Sequence, residues 1–396
     1  MTDKPFEIPE TVETIAPVAL AQQLADGEPI GILDTRAPDS VDDWRIDGPG
    51  VEFANVPYYE FLDGVTDDSL AALPDARPLY TVCAKGESSR FVADRLDDAG
   101  VDDVIAVADG MAGWERVLTS TELDVDTAAT VVQFHRPASG CLSYLVVSGD
   151  EAVVVDPLRA FADDYVAAAA DHGADLVAAV DTHVHADHVS GVRALQRDHG
   201  VPTMVPAGAV QRGLDYESPY QTIADGETIS VGSVAIEAVH TPGHTSGMTS
   251  FLVEDTVLLT GDGLFVESVA RPDLEDGDEG APDAASQLYE TLQERVLSLP
   301  EATVVAPGHA SDGTPRAADG SFTARLGDIV DSLDVLTLER AAFVERVLGD
   351  MPPRPTNYEE IIATNLGEQQ VADDLVAELE RGPNNCAASA DTMRGD

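Results

Sequence analysis

Histidines and aspartates gathered in short motifs are the residues of this sequence whose types and spacing could do chemistry. Six of the nine histidines fall in THVHADH, HTPGH and APGH, namely His183, His185, His188, His240, His244 and His309. Asp187 lies within the first motif, and Asp262 ends the run LLTGD. Neutral imidazoles and carboxylates are common protein ligands of zinc and iron ions. The set therefore predicts a metal centre, with His240 expected to orient or pack beside the ligands rather than to ligate.

Apolar runs of strand length precede these motifs and predict the elements that position them. LVAAV leads into THVHADH, VAIEAV leads into HTPGH, and VLLTG leads into Asp262. Side chains that follow a strand emerge into a loop, where glycine lets the backbone turn towards a cleft. We therefore expect several strand ends to converge on the metal. The isolated histidines His135, His172 and His199 fit surface or hydrogen-bonded core positions instead.

A second chemical feature is Cys83, which follows the apolar run LYTV and precedes the helical pattern FVADRLDDAG. At a strand–loop–helix junction, the loop N–H groups and the positive end of the helix favour a thiolate. Lys85 and Arg90 add positive charge, and Gly86 lets the loop curl around the sulfur. We therefore predict a nucleophilic thiol that carries a transferable persulfide. The loop that would hold it comprises Ala84, Lys85, Gly86, Glu87, Ser88, Ser89 and Arg90.

The other two cysteines receive no role from the sequence. Cys141 begins an apolar run and is expected in the core. Cys386 lies in the small-residue segment GPNNCAASADTMRGD, for which we expect a flexible tail and incidental exposure of the thiol. Three widely spaced cysteines form neither a disulfide scaffold nor a cysteine zinc site.

The excess of acidic side chains disfavours some classes of binding partner. The 396 residues carry 73 acidic and 22 basic side chains, which gives a formal net charge of −51 at pH 7. Such a surface repels phosphate backbones and anionic lipids, so nucleic acid and membranes are not expected as partners. Because concentrated salt screens repulsion between surface charges, the same balance predicts a halophilic protein. Since no apolar run of about 18 residues and no signal-peptide pattern is present, we expect a cytoplasmic location.

The pattern of elements predicts two domains and an extension. Strand and helix patterns alternate over residues 10–118, which predicts an α/β domain. The segment TSTELDVDTAA is expected to be a linker, and residues 128–350 are β-rich, with covering helices at AASQLYETLQERVLSL and across 324–349. Residues 351–396 are expected to form a helical extension and tail, with one helix over 358–381 that covers the core or forms a homo-oligomer contact.

The motifs THVHADHVSG, HTPGHTSG, TGD and PGH resemble the metallo-β-lactamase fold superfamily over roughly residues 128–350. The resemblance implies an αββα sandwich with metals at one edge of two packed sheets. Its members include two-zinc hydrolases such as glyoxalase II and non-haem iron enzymes that oxidise persulfides. The histidines alone do not separate these groups.

Each group implies its own ligands. A persulfide dioxygenase would hold one Fe(II) by His183, His244 and Asp262, leaving the other positions for the substrate sulfur and O2. A hydrolase would hold two Zn(II) ions, with Asp262 bridging and the shells completed by His185, Asp187, His188 and His309. The segment ARPDL resembles the arginine-containing stretch that follows the iron aspartate in the dioxygenases, so Arg271 is expected to hold an anionic group of the substrate.

Residues 10–118 resemble a single rhodanese (sulfurtransferase) domain. LDTR, the loop CAKGESSR and DGMAGW are similar to that family, whereas WRIDGPG and ANVP replace its usual glycine-histidine-isoleucine stretch. The resemblance implies that Cys83 carries sulfane sulfur, either from thiosulfate to a thiol or onto sulfite to make thiosulfate.

The two resemblances together predict a persulfide dioxygenase-like enzyme. It would oxidise a low-molecular-weight thiol persulfide to sulfite and thiol with O2 at one Fe(II), coupled to sulfur transfer through Cys83. The alternatives are a dinuclear zinc hydrolase of hydroxyacyl thioesters with a rhodanese unit, and a sulfur-relay protein with a vestigial metal site.

Overall fold

The computed structural model describes residues 6–9, 11–42, 44–311, 313–382 and 384–394. These residues form two compact units. One unit runs to Thr119 and includes Arg136–Ser139, and the other comprises Ser120–His135 and the residues from Gly140 onward. Among the described residues, no helix combines the length and the apolar character needed to cross a bilayer.

The first unit is an α/β layer structure. Its elements are β1 (Thr14–Ile15), α1 (Pro17–Asp26), β2 (Ile30–Asp34), α2 (Pro38–Asp42), β3 (Val51–Asn55), α3 (Asp67–Ala71), β4 (Leu79–Val82), α4 (Glu87–Asp98), β5 (Val104–Val107) and α5 (Gly110–Trp114). The strands form one sheet in the order β1-β5-β4-β2-β3, and every neighbouring pair is parallel. β2 and β4 are buried along their whole length, as expected for central strands covered on both faces.

Two apolar cores cover the two faces of this sheet. Leu20 of α1 and Trp114 of α5 pack with Ile32 in one core. Phe91 and Leu96 of α4 pack with Leu33 in the other. Because β4 lies in the middle of this arrangement, the residues that follow it are held at a rigid edge of the sheet.

The second unit contains the remaining elements. Its strands are β6 (Thr119–Glu122), β7 (Thr130–Arg136), β8 (Cys141–Ser148), β9 (Glu151–Val155), β10 (Asp175–Val180), β11 (Thr203–Pro206), β12 (Gln221–Ile223), β13 (Thr228–Val231), β14 (Val234–His240), β15 (Thr249–Val253), β16 (Val257–Gly261), β17 (Val304–Pro307) and β18 (Ala324–Arg325). Its helices are α6 (Ala162–Asp171), α7 (Val192–His199), α8 (Ala207–Gln211), α9 (Gly277–Thr291), α10 (Leu326–Ser332), α11 (Arg340–Gly349), α12 (Tyr358–Leu366), α13 (Val376–Leu379) and α14 (Ala390–Met393).

These strands form two sheets packed face to face. The first has the order β12-β11-β10-β9-β8-β7-β6, and the second has the order β13-β14-β15-β16-β17-β18. Apolar side chains from both sheets share one core, for example Tyr144 and Val155 from the first sheet and Ile236 and Phe251 from the second. α6 and α7 pack against the first sheet, while Leu288 of α9 and Phe343 of α11 pack with Leu258 on the outer face of the second. The layers therefore run helix, sheet, sheet, helix.

Three details differ from the sequence-based expectations. Part of the segment expected to be a linker forms β6, and Leu123 just after it is buried in the core between the sheets. The pattern over 324–349 contains β18 and two helices rather than continuous helix. The helix expected over 358–381 ends at Leu366, because Gly367 adopts a left-handed conformation with φ of 90° and terminates it.

Candidate metal centre and cysteine loop

The sheet topology delivers the histidine motifs to one edge of the second unit. β14, β16 and β17 run in the same direction, since β15 is antiparallel to both β14 and β16 and β17 is parallel to β16. The residues after their carboxyl ends are therefore neighbours, and they include His244, Asp262 and His309. β10 of the facing sheet ends at Val180 and leads into the motif with His183. Strand ends from both sheets thus meet at the site.

Three ligand atoms converge without other partners. His183 Nε2 and His244 Nε2 each lie 3.6 Å from Asp262 Oδ2. All three atoms are buried, and none has a hydrogen-bond partner among the described residues. Leaving such atoms without partners in the interior is costly. A cation would satisfy all three, so the donor set fits a metal ion.

The protonation states of these residues suit metal binding. Burial and the neighbouring imidazole of His185 hold the pKa of His183 well below its ordinary value, and burial likewise lowers the pKa of His244. Burial raises the pKa of Asp262, but the nearby His309 and, to a smaller extent, His244 act against burial, and the pKa is lowered overall. Neutral imidazoles and an ionised carboxylate are the forms that bind a metal.

His309 occupies a different position. Its Nδ1 lies 2.6 Å from Asp262 Oδ1 and its Nε2 lies 2.7 Å from Asp187 Oδ2. Burial lowers the pKa of His309, but the two carboxylates outweigh burial and hold it well above its ordinary value. The close approach requires Gly308, since a Cβ there would lie 2.6 Å from Asp262 Oδ1. His309 therefore fixes two carboxylates and has no ring nitrogen left over.

His185 is oriented by a carboxylate on a neighbouring strand end. Its Nε2 lies 3.1 Å from Asp156 Oδ1, and Asp156 also accepts hydrogen bonds from the backbone N–H and hydroxyl of Thr182. Its Nδ1 is buried and has no hydrogen-bond partner in the described part of the chain. Asp156 was not singled out from the sequence, because an aspartate after a strand is common.

A second group of possible ligands surrounds Asp187. Cys141, Asp187, His188 and His309 offer ligand atoms within 4.8 Å of one another. Cys141 Sγ lies 3.2 Å from Asp187 Oδ2, and His188 Nε2 has no hydrogen-bond partner among the described residues. Cys141 is buried, as the sequence predicted, but it lies in the wall of the site rather than in a remote part of the core.

Cys386 corrects a sequence-based expectation. The thiol is fully buried rather than exposed in a flexible tail, and it offers a ligand atom within the same 4.8 Å limit as Asp187, Asp262 and His309. Backbone hydrogen bonds from Arg271 to Cys386 and from Ala388 to Val269 hold the tail beside the site. Burial and the charges of Asp187 and Asp262 raise the pKa of Cys386 well above its ordinary value, so the thiol stays protonated.

Arg271 also differs from the expectation. Its side chain is 1% exposed, its Nε and Nη2 donate to the carboxylate of Asp273, and its Nη1 donates to the carbonyl oxygens of Pro353 and Asn385. The guanidinium therefore joins three chain segments and has no free face for a substrate. The expectation that it holds an anionic group of the substrate is wrong on this geometry.

The remaining histidines lie outside the ligand groups. His240 Nε2 bonds to the carbonyl oxygen of Ser246, two residues beyond His244, and so supports the loop. His199 Nε2 lies 2.7 Å from Asp163 on a neighbouring helix. His172 caps the end of α6.

Cys83 lies at a strand–loop–helix junction, as the sequence predicted, but the helix begins earlier than predicted, so four residues of the predicted loop form its first turn, namely Glu87, Ser88, Ser89 and Arg90. Cys83 follows β4, Gly86 is left-handed with φ of 75°, and α4 begins at Glu87. Burial raises the pKa of Cys83, but the Ser88 hydroxyl and the backbone N–H groups of Ser89 and Lys85 donate to the sulfur, and the pKa is lowered overall. The thiol is 3% exposed. The loop therefore stabilises a thiolate in a largely enclosed position.

The DGMAGW segment packs against this loop and forms a hydrogen bond to it. The N–H of Met111 donates to the carbonyl oxygen of Cys83 at 2.8 Å. A Cβ on Gly110 would lie 2.0 Å from that same oxygen, so only glycine allows the approach. In LDTR, Arg36 Nη2 pairs with Asp34 at 2.6 Å.

Several similarities connect this chain with known proteins. The metallo-beta-lactamase superfamily model matches residues 136–309. The chain is 28% identical over 240 residues to human (Homo sapiens) mitochondrial persulfide dioxygenase ETHE1, covering 59% of this chain and 86% of that protein. It is 30% identical over 220 residues to the bovine (Bos taurus) protein of the same name, covering 52% of this chain and 82% of that protein. The crystal structure of ETHE1 from Myxococcus xanthus is similar with a TM-score of 0.51 at 25% identity, covering 60% of this chain and 98% of that one. The chain therefore belongs to the metallo-beta-lactamase superfamily.

Proposed function

We propose that this protein is a persulfide dioxygenase with a coupled sulfurtransferase site. The second unit would catalyse RSSH + O2 + H2O → RSH + HSO3⁻ + H⁺, where RSH is a low-molecular-weight thiol. His183, His244 and Asp262 would hold one Fe(II). Bound iron would supply the redox chemistry that joins oxygen to the substrate sulfur.

One observation carries the choice of a single metal. The ligand atoms of His183, His244 and Asp262 have no other partners, whereas both ring nitrogens of His309 are engaged by carboxylates. Two histidines and one carboxylate form the set that leaves positions open in non-haem iron oxygenases. A dinuclear centre would need His309 to give up one of these bonds. The persulfide dioxygenase names of the human and bovine relatives support the same choice.

The chain's own residues would prepare the site. His309 holds Asp262 through Oδ1, which leaves Oδ2 directed towards His183 and His244. The three proposed ligands are each at most 2% exposed, so the protein limits access of bulk water to them. The protonated thiol of Cys386 adds a neutral group, rather than another negative charge, beside two carboxylates.

The first unit would act as a rhodanese-like sulfur carrier. Cys83 thiolate would attack the outer sulfur of thiosulfate, releasing sulfite and forming Cys83 persulfide. A low-molecular-weight thiolate would then take that sulfur and regenerate the Cys83 thiolate, and the same steps reversed would return sulfur to sulfite. The lowered pKa of Cys83 and the donors of its loop support this proposal, because both stabilise the attacking sulfur anion.

A dinuclear hydrolase is the second candidate. The group formed by Cys141, Asp187, His188 and His309 favours it, because Asp187 Oδ1 and His188 Nε2 are buried without hydrogen-bond partners among the described residues. This candidate predicts two zinc ions, hydrolysis of hydroxyacyl thioesters and no consumption of oxygen.

The deciding experiment measures metal content and O2 uptake on protein prepared anaerobically in concentrated KCl. About one iron per chain, with O2 uptake matched by sulfite release from an added persulfide, is the expected result. Asp262→Asn should lose the iron and the uptake, while the exposed Asp331→Asn makes the same chemical change on α10 and should keep both. Two zinc ions with thioester hydrolysis and no O2 uptake would instead establish the hydrolase.

The independence of the two activities has its own test. Cys83→Ser should abolish sulfur transfer from thiosulfate and leave O2 uptake on added persulfide intact. Loss of both activities in a folded variant would contradict separate sites.

A further inference from the structure

The loop between β10 and α7 carries the histidine motif THVHADH. Residues 181–191, all of which the structure describes, contain neither helix nor strand apart from an isolated bridge between Ser190 and Leu158. Each of these residues is buried. A buried backbone outside regular elements needs hydrogen-bond partners from other segments, because unpaired N–H and C=O groups are costly in the interior. The segments that supply these partners therefore hold the candidate ligands in place.

Asn365 supplies three such partners through one side-chain amide. Its Nδ2 donates to the carbonyl oxygens of His185 and His188, at 3.0 and 2.8 Å, and its Oδ1 accepts a hydrogen bond from the N–H of Ser190 at 2.9 Å. An amide has two N–H donors, and both are used here. The opposite orientation of the amide would place its oxygen against two carbonyl oxygens, so the contacts define the orientation. Asn365 is 2% exposed and binds the backbone on both sides of Asp187.

The helix that carries Asn365 packs around the same loop. Asn365 lies in the last turn of α12. Ile361 of α12 shares an apolar cluster with Val189, and Leu366 shares another with Val184. Since Val184 and Val189 lie near the two ends of the histidine motif, α12 contacts the loop on both sides of the amide. The amide therefore acts from a rigid support.

A second residue of the carboxyl-terminal extension contacts this loop. Oε1 of Glu380, which follows α13, accepts a hydrogen bond from the N–H of Val189 at 2.7 Å. Glu380 is 4% exposed. Val376 and Leu379 of α13 pack in the apolar cluster that contains Val189. Two elements of the extension thus bind the consecutive N–H groups of residues 189 and 190.

The loop residues beside these contacts lead to the proposed ligands. Asp187 lies between the two carbonyl groups that Asn365 binds, and its Oδ2 lies 2.7 Å from Nε2 of His309. Nδ1 of the same imidazole lies 2.6 Å from Asp262. In the other direction, His183 precedes the first carbonyl contact by two residues. A shift of the loop would therefore displace one proposed ligand directly and loosen another through His309.

We infer that Asn365 is a positioning residue of the metal centre, and that binding of the ion is coupled to docking of α12 against the histidine loop. The inference rests on the metal centre of the proposed function, but it depends neither on which metal binds nor on oxygen chemistry. By linkage, the docked helix raises the affinity for the ion by the same factor by which the ion favours docking of the helix. The carboxyl-terminal extension then belongs to the metal centre rather than serving only to cover the core.

Co(II) binding to metal-free protein tests the role of Asn365, because the visible absorption of Co(II) reports both occupancy and ligand geometry. Asn365→Asp keeps the shape of the side chain and the acceptor for Ser190, but it places an oxygen against two carbonyl oxygens. We expect Co(II) binding to weaken about 10- to 100-fold, as for other groups that orient metal ligands, and the absorption bands to change shape. A role in stability alone would lower the melting temperature and leave the affinity and the spectrum of the folded variant unchanged.

Asn55→Asp is the matched control. Asn55 Nδ2 donates to the carbonyl oxygens of Asp34 and Arg36, at 2.8 and 3.0 Å, in the first unit. The substitution therefore makes the same chemical change against the same kind of partners, in the unit that lacks the histidine motifs. It should leave the affinity for Co(II) and the absorption spectrum unchanged.

Hydrogen exchange of the wild-type protein tests the coupling without a variant, and it applies even if Asn365→Asp fails to fold. Addition of Co(II) should slow exchange of the backbone N–H groups of α12 and leave those of α4 unchanged. Unchanged exchange at α12, or an unchanged affinity and spectrum in Asn365→Asp, would overturn the inference and leave the dioxygenase standing. Absence of Co(II) binding by wild-type protein would overturn both. Absence of O2 uptake by the iron-loaded protein, with the expected Co(II) results, would defeat the proposed function alone.

Discussion

The imidazole of His309 lies between two carboxylates, 2.6 Å from Asp262 through Nδ1 and 2.7 Å from Asp187 through Nε2. One ring therefore fixes the rotamers of two acids that come from opposite sheets of the sandwich. In the proposed mononuclear site, this residue positions a ligand without binding the metal itself.

Replacing His309 by Gln should loosen Asp262 and weaken iron binding. Groups that orient a metal ligand typically contribute about 10- to 100-fold in affinity. Competition with a chelator would measure the change, and His199→Gln, which affects a surface pair with Asp163, should have no effect. Loss of one of two bound zinc ions in the His309 variant would favour the dinuclear hydrolase instead.

Because the protonated thiol of Cys386 is buried beside two carboxylates, the free energy of unfolding should depend on the charge at position 386. Cys386→Asp would place a third carboxylate beside Asp187 and Asp262, whereas Cys386→Asn has nearly the same shape without the charge. In metal-free protein at neutral pH, the Asp variant should be less stable than the Asn variant by roughly 3 kcal/mol, since a buried uncompensated charge is costly. Urea denaturation measures the difference. Equal stability of the two variants would show that position 386 is open to solvent.

The lowered pKa of Cys83 predicts a pH dependence for sulfur transfer. As pH rises through that pKa, the thiol becomes thiolate, so persulfide formation from thiosulfate should rise with a midpoint below the ordinary value of 9.0. Ser88→Ala removes a donor to the sulfur and should move the midpoint upward. Thiolate absorbance in the far ultraviolet, taken as wild type minus Cys83→Ser, measures the same titration directly. An unchanged midpoint in Ser88→Ala would show that the Ser88 hydroxyl does not lower the pKa of Cys83.

Gly110→Ala tests the contact that supports the cysteine loop. The added Cβ would lie 2.0 Å from the carbonyl oxygen of Cys83, so the backbone must move. We expect a loss of at least about 3 kcal/mol and of sulfur transfer. Gly100→Ala is the matched control, because Gly100 also has a positive φ but has no other heavy atom within 4 Å of the added Cβ. Its expected cost is about 1 kcal/mol from backbone strain alone. Similar losses in the two variants would mean that strain rather than the close contact dominates.

The net charge of −51 predicts that salt stabilises the protein. The Debye length falls to about 3 Å near 1 M salt, so self-repulsion of the acidic surface weakens as KCl is added. The melting temperature should therefore rise across a KCl series and should rise less in a variant with several exposed acids replaced by amides. A melting temperature that falls or stays constant would contradict a halophilic adaptation.

Sequence reasoning located the candidate ligands because each histidine motif follows an apolar run, and that local pattern indicates both the strand and the loop. It also located β4 and Cys83 for the same reason, but it began α4 at Phe91 rather than at Glu87. Cys386 was misplaced because its burial depends on contacts with Val269 and Arg271, which are more than 100 residues earlier in the chain. No local pattern encodes such a contact.

The position of Arg271 shows how sequence proximity can mislead. Arg271 was expected to bind the substrate because it follows Asp262 in the sequence. Instead it forms an ion pair with Asp273, two residues away. The end of α12 at Leu366 was also missed, although Gly367 is the residue type that terminates helices in the left-handed conformation.

The origin of the ligands on two sheets has a consequence for the order of folding. His183 follows β10 of one sheet, whereas His244 and Asp262 follow strands of the facing sheet and come more than 60 residues after His183 in the chain. Closing such long loops precedes any gain from the contacts they bring together. A metal ion therefore cannot nucleate this fold in the way that closely spaced ligands allow in a zinc finger. The sandwich must assemble first, and the ion then binds as a late event that favours the assembled form.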